Sequence, residues 1–106
     1  MSERTQWVGV ATREENARWR AVARSVAEEL AVDVLERERA GAVPRAESAL
    51  LKRSGLTTLL DPVGLGGGGG HWSSALLAVR EIARTDAGIG QLLGYHYANS
   101  ANVAFV

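Results

Sequence analysis

The sequence predicts an all-α domain of four main helices, with a glycine-rich loop between the second and the third. Apolar residues recur at steps of three and four along most of the chain, the spacing of one helix face. Capping residues stand where those stripes begin. No useful stretch alternates apolar and polar residues with period two, and no internal repeat is visible, so strands are not required. With 106 residues there is room for one core and not for two ordinary domains.

The first helix is predicted to begin after a tail of residues 1–11, because Thr12-Arg13-Glu14-Glu15 has the capping-box spacing. The Thr12 hydroxyl can accept from a first-turn amide, and the Glu15 carboxylate can reach back. Trp19, Val22, Ala23, Val26, Leu30 and Val34 then share one stripe, with Arg18, Arg24, Glu28, Glu36 and Arg37 off it, which carries the helix to about Arg39. Gly41 suits a C-terminal cap, and Pro44 suits the first turn of a second helix over about Arg45 to Arg53. Gly55 ends that helix, and Leu56 to Leu60 is an apolar segment able to plug between helices. Asp61-Pro62 and a loop ending in Gly66 to Gly70 follow; consecutive glycines do not form an element interior. Trp72-Ser73-Ser74 opens a third helix with Leu76, Leu77, Val79, Ile82 and Ala83 as its apolar positions, ending near Thr85. Asp86 is placed to cap a fourth.

Hydrophobic residues make up 46% and charged residues 23%, as in a folded water-soluble domain rather than a disordered tail. Twelve Lys and Arg balance twelve Asp and Glu, which leaves no basic excess for phosphate backbones, so no nucleic-acid partner is expected. The absence of cysteine excludes disulfides, thiolate nucleophiles and cysteine-based metal sites. Met1 to Trp7 lacks the basic patch and apolar run of a leader, which predicts a cytoplasmic protein.

The charges are unevenly placed: residues 1–53 hold nineteen of the twenty-four, and Ala87 to Val106 hold none. A membrane span is rejected for that stretch, because Gln91, Tyr95, His96, Tyr97, Asn99, Ser100 and Asn102 would have to enter hydrocarbon. The expected alternative is a central helix buried by protein on most of its circumference. Ala104-Phe105-Val106 has no Gly cap, cationic last turn or polar tail, which predicts a natural polypeptide that continues further.

Gly66 to Gly70 invites a phosphate-cradle reading, but no Lys-Ser/Thr follows it and no strand precedes it. The expected role is a flexible turn that reverses the chain. Gly90 and Gly94 lie four apart on one helical face, which suits close approach of a backbone or flat ligand, with tight helix packing the plainer account. Trp19 and Trp72 are expected in the core. His71 and His96 are the only histidines, and three acids in the second half offer no ligand spacing, so no metal is expected. His96 stands out in an uncharged helix beside Tyr95, Tyr97 and Asn99. It is either a buried, hydrogen-bonded core residue or a group with a chemical task.

Val34-Leu35-Glu36-Arg37-Glu38-Arg39-Ala40-Gly41, Leu51-Lys52-Arg53-Ser54-Gly55-Leu56 and Asp61-Pro62-Val63-Gly64-Leu65-Gly66-Gly67, in that order, resemble the N-terminal helical domain of the acyl-CoA dehydrogenase superfamily. His71-Trp72, the segment from Val79 to Gly90 and Leu93-Gly94-Tyr95-His96 are similar to its flavin-dependent monooxygenase branch, which includes dibenzothiophene monooxygenase. The Gly94-Tyr95-His96 triplet is the most specific part. The resemblance covers about residues 20 to 103, one of the family's three domains; the middle β-domain and the C-terminal helical domain are absent. An unbroken glycine run replaces the family's mixed Gly-Gly-x-Gly pattern, and the base of true dehydrogenases belongs to a domain this chain lacks.

The resemblance implies that residues 12–106 are the substrate-pocket-lining domain of a flavin-dependent oxidoreductase. A monooxygenase of organosulfur or aromatic heterocyclic compounds is preferred to an acyl-CoA dehydrogenase. It implies a flavin, FMN or FAD, bound mainly by the missing domains, while the N-terminal helices close one wall of the substrate pocket. His96 would be the catalytic residue, near the reactive edge of reduced flavin, donating a proton or hydrogen bond. Tyr95 and Asn99 would be supporting pocket residues. A small-molecule substrate, a tetramer of complete subunits and an inactive isolated chain are implied as well. The rival from another class is a non-catalytic interaction module or remnant that docks its uncharged fourth helix on a separate flavoprotein.

Overall fold

The stripe from Trp19 to Val34 predicts one long helix, and the chain makes two. In the computed structural model, which describes the backbone of residues 9–104 and the side chains of residues 9–100, the turn falls at Val32-Asp33. The result is five α-helices rather than four: α1 (Arg13–Ala31), α2 (Val34–Ala40), α3 (Arg45–Ser54), α4 (Trp72–Ala83) and α5 (Ala87–Ala104). One-turn 3-10 helices occupy Leu56–Thr58 and Val63–Leu65, and no strand occurs among the described residues.

The break has a physical cause. Asp33 leaves helical geometry at φ −132°, ψ 21°, and its Oδ1 accepts from Arg37 Nε at 2.9 Å. Arg37 Nη2 donates to the Leu30 carbonyl at 2.6 Å, so a side chain takes over a carbonyl at the end of α1. Arg37 Nη1 reaches Asp86 Oδ2 at 2.7 Å, tying the junction to the start of α5.

The expected caps are in place elsewhere. Thr12 Oγ1 accepts from Glu15 N at 3.1 Å, and Asp86 Oδ1 accepts from Ile89 N at 3.1 Å. Gly41 and Gly55 end α2 and α3 at φ 62° and 88°, the left-handed region that glycine enters without a Cβ penalty.

Trp19, Ala23, Val26 and Leu30 of α1 face Ala75, Ala78 and Ile82 of α4, with Ile89, Leu93 and Tyr97 of α5 alongside. Leu56, Leu59 and Leu60 form the expected plug, all buried. On α4 the buried face is Ser74, Ala75, Ala78, Glu81 and Ile82, whereas the predicted core residue Leu76 is 62% exposed. Small side chains let α4 lie close against α1, the most extensive helix contact in the domain, and that turns the leucine outward. Trp19 is fully in the core, and Trp72 is partly buried against it.

The glycine run is a packed element, not the flexible turn expected from its composition. Gly67, Gly68, Gly69 and Gly70 donate their backbone N–H groups to the carbonyls of Pro62, Thr58, Asp61 and Leu59, at 2.7–3.0 Å. A Cβ on Gly68 would lie 2.6 Å from Trp19 Cζ2, and one on Gly70 would lie 2.5 Å from Leu59 Cδ2. Packing excludes side chains here, which composition alone does not reveal.

Candidate functional site

Helix α5 buries less of its circumference than its uncharged sequence predicts. Ile89, Leu93 and Tyr97, at steps of four, turn into the core. Leu92, Tyr95, His96 and Asn99, spaced i, i+3, i+4 and i+7, lie on one exposed, uncharged face. Tyr95 is 63% exposed and Leu92 41% exposed. The structure thus brings the three predicted site residues, Tyr95, His96 and Asn99, onto one surface.

His96 is therefore not the buried core histidine that its surroundings in sequence allowed. The buried group is its neighbour Tyr97, 1% exposed, whose hydroxyl donates to the Leu56 carbonyl at 2.6 Å. Burial pushes the Tyr97 phenol pKa above its ordinary value. His96 Nε2 lies 2.6 Å from the Thr57 carbonyl oxygen. Beside the ring opens a cavity of about 210 Å³, lined by Leu51, Lys52, Leu92 and Leu93 among others. Sequence reasoning missed Tyr97 and the Thr57 carbonyl; the step Ile89, Leu93, Tyr97 was the available signal for the first, and nothing local signalled the second.

His71 takes a different role at the start of α4. Its backbone N–H donates to Glu15 Oε2 at 3.0 Å, and its Nδ1 lies 2.8 Å from Glu15 Oε1. Ser74 Oγ lies 2.5 Å from Glu15 Oε2 and 3.0 Å from Asn16 Oδ1. Burial would raise the Glu15 pKa, but the Ser74 and His71 contacts outweigh it and hold the carboxyl below its ordinary value. So Glu15 ties α1 to α4 instead of closing the predicted capping box. Among the described residues, no group of three His, Asp or Glu side chains could hold a metal ion.

Gly90 serves close helix packing, as the plainer account expects: a Cβ there would lie 2.7 Å from that of Ala83. Gly94 is not squeezed, its nearest neighbour being a Val79 methyl at 3.8 Å. Asp86, 8% exposed, accepts from Arg37 and from the first turn of α5, so it fixes where the helix bearing His96 begins. The glycine-run amides are all spent on backbone carbonyls between Thr58 and Val63 and cannot cradle a phosphate.

Residues 12–104 match the family model described as acyl-CoA dehydrogenase, N-terminal domain. The chain belongs to that family. The all-helical architecture is that of an acyl-CoA dehydrogenase N-terminal domain. Over 86 residues, 81% of this chain, it is 43% identical to dibenzothiophene monooxygenase of Rhodococcus erythropolis, covering 21% of that protein. It is 39% identical over 83 residues, 78% of this chain, to a probable FMNH2-dependent monooxygenase, SfnC, of Pseudomonas putida, again covering 21% of the relative. Dibenzothiophene monooxygenase of Mycolicibacterium goodii is 41% identical over 80 residues, 76% of this chain and 19% of the relative. This acyl-CoA dehydrogenase N-terminal domain spans about a fifth of the length of the curated relatives it matches. These relatives carry monooxygenase names, one of them FMNH2-dependent.

Proposed function

We propose that this chain forms the substrate-pocket wall of a flavin-dependent monooxygenase acting on small organosulfur or aromatic heterocyclic compounds. The single observation that carries the reading is the exposed, uncharged face of Leu92, Tyr95, His96 and Asn99 on α5. Such a face suits a flat, neutral ligand: Leu92 and Tyr95 supply apolar contact, and His96 and Asn99 supply hydrogen bonds. Names of the relatives support the substrate class and the flavin.

A flavin, when bound, supplies the activation of dioxygen for transfer to the substrate. The residues present fit a wall against its ring system rather than a phosphate clamp, since α5 is uncharged and the glycine-run amides are taken. FMN or FAD would be held mainly by further domains of a longer, cytoplasmic, tetrameric polypeptide, with residues 12–106 as its helical N-terminal domain and the isolated chain inactive. His96 would be the catalytic residue in this reading, its imidazole holding a proton or hydrogen bond toward the ligand on the exposed face of α5. Tyr95 and Asn99 orient the substrate.

In the complete polypeptide, His96→Ala should lower turnover by about 10²-fold or more, the usual contribution of a positioned general acid, with flavin content unchanged. Unaltered turnover would remove His96 from the mechanism. The exposure of Leu92 and Tyr95 also favours a second reading, a docking module for a separate flavoprotein. In that case Leu92→Asp should abolish co-purification of the flavoprotein while His96→Ala does not.

A further inference from the structure

We propose that the 3-10 turn Leu56–Thr58 positions His96, holding its ring as the Nε2–H tautomer so that Nδ1 is the nitrogen offered to a ligand. The inference rests on the reading of His96 as the chemical group of the pocket wall. Two adjacent contacts carry it. Consecutive carbonyls, Leu56 and Thr57, meet consecutive side chains of α5, with Tyr97 Oη and His96 Nε2 each 2.6 Å from its acceptor.

A carbonyl oxygen can only accept, so Nε2 carries the hydrogen in that contact. In the neutral ring the lone pair is then on Nδ1, and among the described residues no partner is bonded to it. Once the ring is protonated, the hydrogen on Nδ1 is the one free to be given away. Loss of that proton leaves the Nε2–H form already bonded to Thr57, and the exposed ring regains a proton at Nδ1 from water, so no tautomer exchange separates one donation from the next. Tyr97 holds the turn from its buried side, which keeps the Thr57 carbonyl in register with the exposed ring.

His71 provides a contrast inside the same molecule. Its Nδ1 faces a Glu15 carboxylate oxygen at 2.8 Å, an acceptor, so neutral His71 is the Nδ1–H tautomer. The two histidines of the chain should therefore show opposite nitrogen patterns.

The test is a long-range ¹H–¹⁵N correlation spectrum of the labelled 106-residue chain in alkaline buffer, with His96→Gln for assignment. His96 should show the Nε2–H form in about tenfold excess, a ratio that one net hydrogen bond supports, and His71 the reverse. Tyr97→Phe, which keeps the ring and removes the hydroxyl, should lower the His96 excess at least about threefold, while Thr57→Ala should leave it, since only the backbone carbonyl is used. An even mixture, or an Nδ1–H form, at His96 in the unaltered chain overturns the proposal.

Activity separates this proposal from the reading beneath it. An amide cannot give up a proton, so in the complete polypeptide His96→Asn and His96→Gln should both lose about 10²-fold in kcat, whereas His96→Asn, whose amide overlays Nδ1, should keep a KM about tenfold below that of His96→Gln, whose amide overlays Nε2. Equal KM in those two variants, or full kcat in either, overturns the role of Nδ1. Full turnover in His96→Ala overturns the pocket reading itself, whatever the tautomer.

Discussion

At Glu15 a carboxylate placed to close a capping box reaches across to α4, where it accepts from the His71 backbone and sits beside Ser74 Oγ. Burial raises its pKa, but those partners lower it by more, so the folded value lies below the ordinary 4.5. A carboxyl with a depressed folded value adds stability that is complete above its unfolded value and lost as pH falls through the folded one. We expect Glu15→Gln to cost about 1–3 kcal/mol at neutral pH and to flatten the acid limb of stability below the ordinary carboxylate range. Urea midpoints taken across that range would check this; parallel pH curves for the two proteins would refute the assignment. Tyr97→Phe leaves the Leu56 carbonyl without its donor and should cost about 1 kcal/mol with the fold intact, measured the same way. The capping spacing at Thr12 was legible because it is local; the alternative partner of Glu15 lies 56 residues away and was not.

Elements meet through small residues, and this makes two glycines four positions apart respond oppositely. Gly90→Ala drives a Cβ to 2.7 Å from Ala83 Cβ and should destabilise by about 1–3 kcal/mol. Gly94→Ala meets only ordinary contact at 3.8 Å and should stabilise by up to about 1 kcal/mol through helix propensity. Thermal unfolding of both variants, followed by circular dichroism, reads the two signs; like signs would mean that α4 and α5 are not packed as described. Leu92 and Leu93 make a second pair on α5. Leu92→Asp, at an exposed position, should change stability by about 0.5 kcal/mol or less, whereas Leu93→Asp buries an unpaired charge and should prevent folding. The four-residue steps already separate the two leucines in sequence, but the assumption that a charge-free helix is buried all round hides the difference.

On the scale of the whole molecule, the principal extents are 47 × 30 × 19 Å, and the shortest is about two helix diameters. A slab so thin leaves each helix with a face uncovered, and on α5 that face carries Tyr95, His96 and Asn99. No helix among the described residues is long and apolar enough to cross a membrane. Arg37 of α2 gathers three parts of the slab at once, pairing with Asp33 at the end of α1, Glu47 of α3 and Asp86 before α5. Arg37→Ala strands the 8%-exposed Asp86 without its cation and should cost about 3 kcal/mol, read from chemical denaturation. A loss under about 0.5 kcal/mol would show that the ion pair does not organise the start of α5.

Apart from the α1–α2 break, helix positions, glycine caps and the Leu56–Leu60 plug were legible from residue types and spacings, because each depends on neighbours within a turn or two of chain, and the family was legible from the order of its motifs. Tertiary contacts decided the rest. The break between α1 and α2 depends on an arginine whose partner Asp86 is 49 residues away. The order of the glycine run depends on Trp19 and on carbonyls outside it. Which of two adjacent aromatic rings enters the core, and which stays at the surface, depends on carbonyls 41 and 39 residues back from Tyr97 and His96. Periodicity states which side of a helix a residue occupies, and only the packed neighbours determine what that side meets.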